Sequence, residues 1–255
     1  MTALMYHDVV APGTDDASGF PGRDAALYKV TPETFSAHLD AIARATGHVS
    51  DPIITFDDGG VSAMTAADLL EAYGFIGHFF ITANYVGAPG FVTERNLREL
   101  VQRGHVVGSH SCSHPLRMGH CTYPQLLVEW SRSCAILADI TGKEVSVASV
   151  PGGDFSANVA EAAAQAGIMH LFTSEPTCVM QDVAGLTLTG RFTIQRWTTA
   201  RTAAALALGE WLPRARQALI WNAKKISKRV GGARYLQIRK LLIGHGDEVR
   251  WGDQR

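Results

Sequence analysis

Short runs of apolar and β-branched residues alternate along the chain with longer stretches of helical periodicity, the pattern left by repeated β-α units around a parallel sheet. Six strands are read directly: Thr2 to Tyr6, Pro52 to Phe56, His78 to Thr82, His105 to Gly108, Val145 to Val150 and His170 to Thr173. A seventh is expected from Leu186 to Ile194. Thr31, Pro32 and Glu33 followed by Phe35, Leu39 and Ile42 predict a helix with an N-cap threonine and a proline in its first position. Thr93-Glu94 and Thr122 to Gln125 open two more. Residues 8–30, rich in Gly, Asp and Pro, read as one long loop, and a loop of that length in a compact domain usually has a function, such as covering a cleft. No internal repeat or low-complexity segment interrupts the pattern.

Composition supports a large buried sheet. Of the 255 residues, 46% are hydrophobic and 18% charged, where about 25% charged is usual, so a disordered chain is excluded. A chain of this size buries enough surface to fold without metal or disulfide, and any metal would therefore serve chemistry. Cys112, Cys121, Cys134 and Cys178 form no close framework, and MTALMYHDVV lacks the basic flank and apolar core of a signal peptide. A reduced, cytoplasmic protein is expected. No apolar run approaches the roughly 18 residues of a spanning helix.

Three strand ends carry candidate chemistry. Ile53 to Phe56 runs straight into Asp57-Asp58-Gly59-Gly60, two adjacent carboxylates at the carboxyl end of a strand, where ligands bind in parallel α/β folds. Adjacent side chains leave a strand end in different directions, so one carboxylate can hold a metal while the other meets a substrate; a solvated turn or a helix N-cap reads the same residues equally simply. His110-Ser111-Cys112-Ser113-His114 follows another strand, and two imidazoles four residues apart on a helical turn or tight loop can share one Zn²⁺. Pro151-Gly152-Gly153-Asp154 ends a third, where glycines let backbone N–H groups approach a ligand as an oxyanion hole does, or make an ordinary turn.

Taken together and in this order, TFDDG, H-S-x-x-H and the P-x-G strand end resemble the polysaccharide deacetylases of carbohydrate esterase family 4, the nodulation-type chitooligosaccharide deacetylase domain; Leu4 to Val9 resembles the opening strand of many bacterial members. The resemblance covers most of residues 1–200. It implies an α/β fold, a distorted and incomplete (β/α) barrel of the polysaccharide deacetylase type, and the removal of N-acetyl groups from amino sugars with a divalent metal, most often Zn²⁺. It also implies Asp58, His110 and His114 as metal ligands, Asp57 as general base, and Pro151, Gly152, Gly153 and Asp154 as the oxyanion and substrate-binding turn.

Two features depart from the family pattern. Ser149 stands where an arginine that orients the base is common, and Arg191 is expected to supply the guanidinium from a neighbouring strand, unless it is a solvated strand-end residue. No histidine occurs between His170 and His245, so the late histidine that serves as general acid is missing. His7 is expected to replace it if the barrel closes its first strand beside its last; a structural histidine is the alternative. Cys112 between the ligands reads as a packed free thiol rather than a ligand. His78 and His105 sit at the starts of strands and read as structural, His170 should lie at the opposite face, and Trp197 and Trp211 either line a sugar cleft or sit in the core.

Charge divides the chain. Residues 1–210, the expected catalytic barrel, carry 12 basic against 21 acidic residues, which excludes bulk nucleic-acid binding. Residues 211–246 carry nine basic residues and no acidic one, so residues 211–255 are expected to form a basic helical C-terminal extension. It reads either as an interfacial segment on the anionic inner face of a membrane or as an appendage with a solvated basic face. The functions consistent with the sequence are an N-deacetylase acting on an N-acetylhexosamine-containing glycan or glycan precursor, an amidohydrolase of the same fold on a small non-sugar amide, and a saccharide-binding relative without catalysis.

Overall fold

The computed structural model describes residues 2–48 and 51–223. In chain order the strands are β1 (Ala3–Tyr6), β2 (Asp8–Val9), β3 (Lys29–Val30), β4 (Ile53–Phe56), β5 (Gly77–Ile81), β6 (Val106–Ser109), β7 (Val147–Ser149), β8 (His170–Phe172), β9 (Met180–Val183), β10 (Leu186–Thr189) and β11 (Phe192–Thr193). The helices are α1 (Arg23–Ala26), α2 (Pro32–Thr46), α3 (Ala63–Ala72), α4 (Glu94–Gln102), α5 (Tyr123–Thr141), α6 (Ala157–Gln165) and α7 (Ala200–Ala207). Nine strands form one curled sheet in the order β11-β1-β4-β5-β6-β7-β8-β10-β9, parallel throughout except for the β9-β10 hairpin. The incomplete barrel expected from the sequence is therefore the fold. Its first strand pairs with its last, Leu4 opposite Phe192 and Met5 opposite Thr193.

Both faces of the sheet are covered, which is why its strands read as nearly continuous apolar runs. In β5, Phe79 and Ile81 point to the helical layer and join the main core, while Phe80 points inward and clusters with Ala3 and Phe172. The helices bury their apolar stripes on the outside: Phe35, Leu39 and Ile42 of α2 are fully buried, each worth roughly 1.5–3 kcal/mol relative to exposure. Their starts follow the predicted signals. Thr31 caps α2 by accepting the N–H of Thr34, and Thr93 with Asn96 and Thr122 with Gln125 form capping boxes on α4 and α5.

Three expectations need correction. The strand expected over Leu186–Ile194 is two strands, because Gly190 passes so close to Glu175 and Thr177 that a Cβ there would collide with the Glu175 carbonyl oxygen; Arg191 therefore lies between strands rather than on one. Residues 8–30 are not a plain loop. Their ends pair as the two-residue parallel strands β2 and β3, and the span between contains the single turn α1. Trp197 and Trp211 are exposed, so the core reading fails for both.

The span between β2 and β3 is pinned by a buried polar knot. Lys29, 3% exposed, donates from Nζ to the carbonyls of Asp15 (2.6 Å), Ser18 and Phe20 (2.8 Å), and lies 3.6 Å from Asp8. Asp8 in turn accepts the hydroxyls of Ser18 (2.6 Å) and Ser62 (2.7 Å). Gly60 allows this contact, since a Cβ there would collide with the Asp8 carboxylate. The knot thus fixes the span against the turn that carries Asp57 and Asp58.

Beyond α7, residues 211–223 are helical and dock on the sheet edge. The Gln217 side-chain amide exchanges hydrogen bonds with the backbone N–H (3.1 Å) and C=O (2.9 Å) of Thr193, satisfying an edge that would otherwise offer bare backbone groups. Residues 224–246, most of the predicted basic segment, lie outside the described residues. No described helix is long and apolar enough to cross a membrane.

His78, near the amino end of β5, has its Nδ1 buried with no hydrogen-bond partner among the described residues. Burial, aided by the nearby His170, pushes its imidazole down to about 4 from 6.5. The unfolded chain then binds the proton that the folded chain refuses. Stability is expected to fall as the pH drops from about 6.5 to about 4, with His78 accounting for roughly 3 kcal/mol of the loss. Urea unfolding of the wild type and of His78→Gln across that range checks this: the variant's stability should depend less steeply on pH, and parallel curves would refute it.

Candidate metal centre

Every candidate side chain reaches the site from the carboxyl end of a strand. Asp57 continues β4, its N–H still bonded to the carbonyl of Tyr6 at 3.1 Å. Asp58 then turns into the left-handed region, φ +74°, a conformation that aspartate tolerates better than most residues. This reversal sends the two carboxylates apart. His110 continues β6, its N–H bonded to the carbonyl of Ile81 at 2.8 Å, and His114 returns on a tight loop rather than a helix.

Asp58, His110 and His114 converge. Asp58 Oδ1 lies 3.4 Å from His110 Nε2 and 3.4 Å from His114 Nε2, and one ligand atom from each residue falls within 4.8 Å of the others. A separation of 3.4 Å is long for a hydrogen bond. It matches two ligands bound at about 2.0–2.1 Å to one tetrahedral ion, which stand about 3.3 Å apart. His110 Nδ1 donates to the carbonyl of Ser149 at 3.0 Å, which fixes the tautomer and leaves the Nε2 lone pair facing the cluster. One carboxylate and two neutral imidazoles make a three-residue donor set that fits Zn²⁺. Burial alone would raise the Asp58 carboxyl, but the imidazoles facing it hold it well below its ordinary range; His114 is lowered by burial and raised more by Asp58, to a net rise.

Asp57 belongs to a separate arrangement. Arg191, fully buried, grips it with both arms: Nη1 to Oδ1 and Nη2 to Oδ2, each 2.7 Å. The remaining guanidinium N–H groups go to Thr55 Oγ1 (2.9 Å), Ser149 Oγ (2.7 Å) and the Thr173 carbonyl (3.1 Å), so all five donors are used. Ser149 Oγ passes its own hydrogen to Asp57 Oδ2 at 3.2 Å. Phe80 and Phe172 flank the guanidinium, 5.6 and 5.9 Å from their ring centroids. Burial opposes the Asp57 charge, yet Arg191 above all, with His110 and His7, keeps its carboxyl below the ordinary range.

His7 follows β1 and lies near enough to act electrostatically on both aspartates. Its ring packs against Tyr28 at 4.9 Å, and its Nδ1 is buried with no hydrogen-bond partner among the described residues. Phe20, on the pinned span, packs on the His114 ring at 4.8 Å. The Pro151 turn closes another side, with Gly152 and Gly153 at φ +60° and +65°. The Asp154 N–H donates to the Pro151 carbonyl at 3.4 Å. Cys112 turns its sulfur to Asn84 Oδ1 at 3.1 Å and stays outside the ligand cluster. His105 and His170 sit at the opposite end, bonded to Glu71 and Thr189. Lys29 and Glu129, both tied to segments that form the site, carry no motif signal.

Comparison with known proteins follows the same lines. The polysaccharide deacetylase family model matches residues 46–171. The Bacillus subtilis protein named "Putative polysaccharide deacetylase YxkH" is 27% identical over 131 residues, 51% of this chain and 47% of that protein. An uncharacterized 30.6 kDa protein of Geobacillus stearothermophilus is 30% identical over 125 residues, 48% of this chain and 45% of that protein. The chain thus spans about half the length of the curated relatives it matches. In fold it is similar to a polysaccharide deacetylase from Bacillus cereus (TM-score 0.68, 20% identity, covering 81% of this chain and 68% of that one). It is also similar to a deacetylase from Streptococcus pyogenes (TM-score 0.66, 17% identity, covering 81% and 97%). The family match takes in both aspartates, both histidines and the Pro151 turn but neither His7 nor Arg191, and it identifies residues 46–171 as a polysaccharide deacetylase domain.

Proposed function

We propose that the protein is a metal-dependent N-deacetylase that hydrolyses the N-acetyl group of an N-acetylhexosamine-containing glycan or glycan precursor and releases acetate. The observation that carries this reading is the convergence of Asp58, His110 and His114 at 3.4 Å beside a second carboxylate held on Arg191. Asp58, His110 and His114 would hold a Zn²⁺, which would supply a Lewis acid for the amide carbonyl and for the attacking water. Asp57 takes a proton from the attacking water as its oxygen bonds to the carbonyl carbon. Arg191 and Ser149 fix the direction of the Asp57 carboxylate, so the base is aimed before substrate arrives. The Gly153 N–H donates to the oxyanion of the tetrahedral intermediate. The carbon-nitrogen bond then breaks, the leaving nitrogen takes a proton from the His7 imidazole, and acetate departs.

A binding-only relative is the reading that the absent motif arginine and late histidine would favour. The contact of Arg191 with Asp57, and the pairing of β1 with β4 that sets Tyr6 opposite Phe56 and so His7 next to Asp57, support catalysis despite both absences. Acetate release from a panel of N-acetylated saccharides and simple N-acetyl amides, with and without chelator, tests the reading. Release from a saccharide that stops on chelation and returns with zinc is expected. Release that chelation leaves unchanged would refute the metal role, and release from simple amides alone would refute the glycan substrate.

A further inference from the structure

The loop between the two imidazoles is held in a conformation it would not adopt alone. Ser111 and His114 both have positive φ, +64° and +57°. Left-handed backbone costs a non-glycine residue roughly 1–2 kcal/mol and persists where the surroundings over-determine it. One side of the loop is held by the backbone N–H groups of Ala83 and Asn84, which donate to the carbonyls of Ser111 (3.1 Å) and Cys112 (2.9 Å). The other side is held by one side chain from a different element. Glu129, in the second turn of α5, accepts the N–H groups of Cys112 (2.9 Å) and Ser113 (2.8 Å) on Oε2 and the Ser113 hydroxyl (2.6 Å) on Oε1.

We propose that Glu129 is a positioning residue for the metal ligand His114: its carboxylate gathers three donors from the loop and so sets the His114 imidazole beside Asp58. This rests on the reading of Asp58, His110 and His114 as metal ligands. Hydrogen bonds to a carboxylate are roughly twice as strong as neutral ones, and three of them converge here on one group. Glu129 touches the reaction only through the loop. A glutamine at this position keeps one oxygen for the two N–H groups and an amide that donates to the Ser113 hydroxyl; an alanine abandons all three donors.

Zinc affinity, measured by competition with a chromophoric chelator, tests the proposal in Glu129→Ala and Glu129→Gln. Glu129→Ala is expected to weaken zinc binding about 10–100-fold, as loss of a group that orients a ligand does, with Glu129→Gln close to wild type. A second readout needs no metal. Cys112 is 3% exposed beneath the loop. In chelator-stripped protein its labelling by a thiol reagent, mapped by peptide mass spectrometry, should be faster in Glu129→Ala than in wild type. Unchanged zinc affinity in Glu129→Ala overturns the proposal, as does a Glu129→Gln protein that folds and loses zinc as the alanine variant was expected to. If the wild type binds no zinc, the metal reading fails separately, and Cys112 labelling alone then decides whether Glu129 holds the loop.

Discussion

Asp57→Asn is expected to cut acetate release by about 10²–10⁴-fold, the contribution of a general base, while zinc remains bound at wild-type stoichiometry. The two halves of this result separate the two aspartates. The substituted amide would keep the shape of the side chain but could not accept a proton from water. Its NH₂ would also present a donor to a guanidinium arm that now donates to Asp57 at 2.7 Å, so the bidentate pair would be reduced to one bond. Asp58 faces away from this pair, towards His110 and His114, and its contacts do not pass through Arg191. Metal content by elemental analysis together with acetate assays checks both halves. Turnover unchanged in Asp57→Asn would remove Asp57 from the mechanism, and loss of zinc would mean that the two carboxylates do not divide their roles as proposed.

Much of this site could be read because the fold writes its chemistry at strand ends. An apolar run that stops at Asp57-Asp58-Gly59-Gly60 marks a carboxyl edge, and that edge is where Asp58, His110 and His114 converge. What could not be read depends on contacts between segments far apart in the chain. Arg191 looked like a strand residue, because the alternation from Leu186 to Ile194 gives no sign that the chain leaves the sheet at Gly190 to clear the Glu175 carbonyl. The β9 strand went unread for two reasons. Its residues Met180 to Val183 are largely exposed, and its hairpin turns on Ala184-Gly185 with φ of +55° and +83°, where the usual signal is an asparagine or aspartate before the glycine. Lys29 and Glu129 are single polar residues in ordinary surroundings by sequence. Each matters only because folding brings it under backbone groups from another segment, three carbonyls for Lys29 and two N–H groups for Glu129.

Arg191→Met is expected to destabilise the fold, because the group that orients the Asp57 carboxylate also neutralises it. Arg191 is fully buried, and its five N–H groups meet β4 at Thr55, the Asp57 turn, β7 at Ser149 and the end of β8 at Thr173. Replacing only the cation leaves the Asp57 carboxylate, 3% exposed, without its counter-charge, and such a loss typically costs about 3–5 kcal/mol. The expected result is a destabilisation of that order in urea unfolding at neutral pH. The pair can be separated from mere packing by a double-mutant cycle. Asp57→Asn combined with Arg191→Met removes the buried charge along with its partner, so the double variant should be less destabilised than the sum of the single ones, by about 0.5–3 kcal/mol. Additive losses would mean that Arg191 acts as a packing bridge between strands and not as the electrostatic support of Asp57. Fold and function meet in that distinction: a guanidinium drawn from the β10-β11 connection stabilises the barrel only while the carboxylate it orients stays charged.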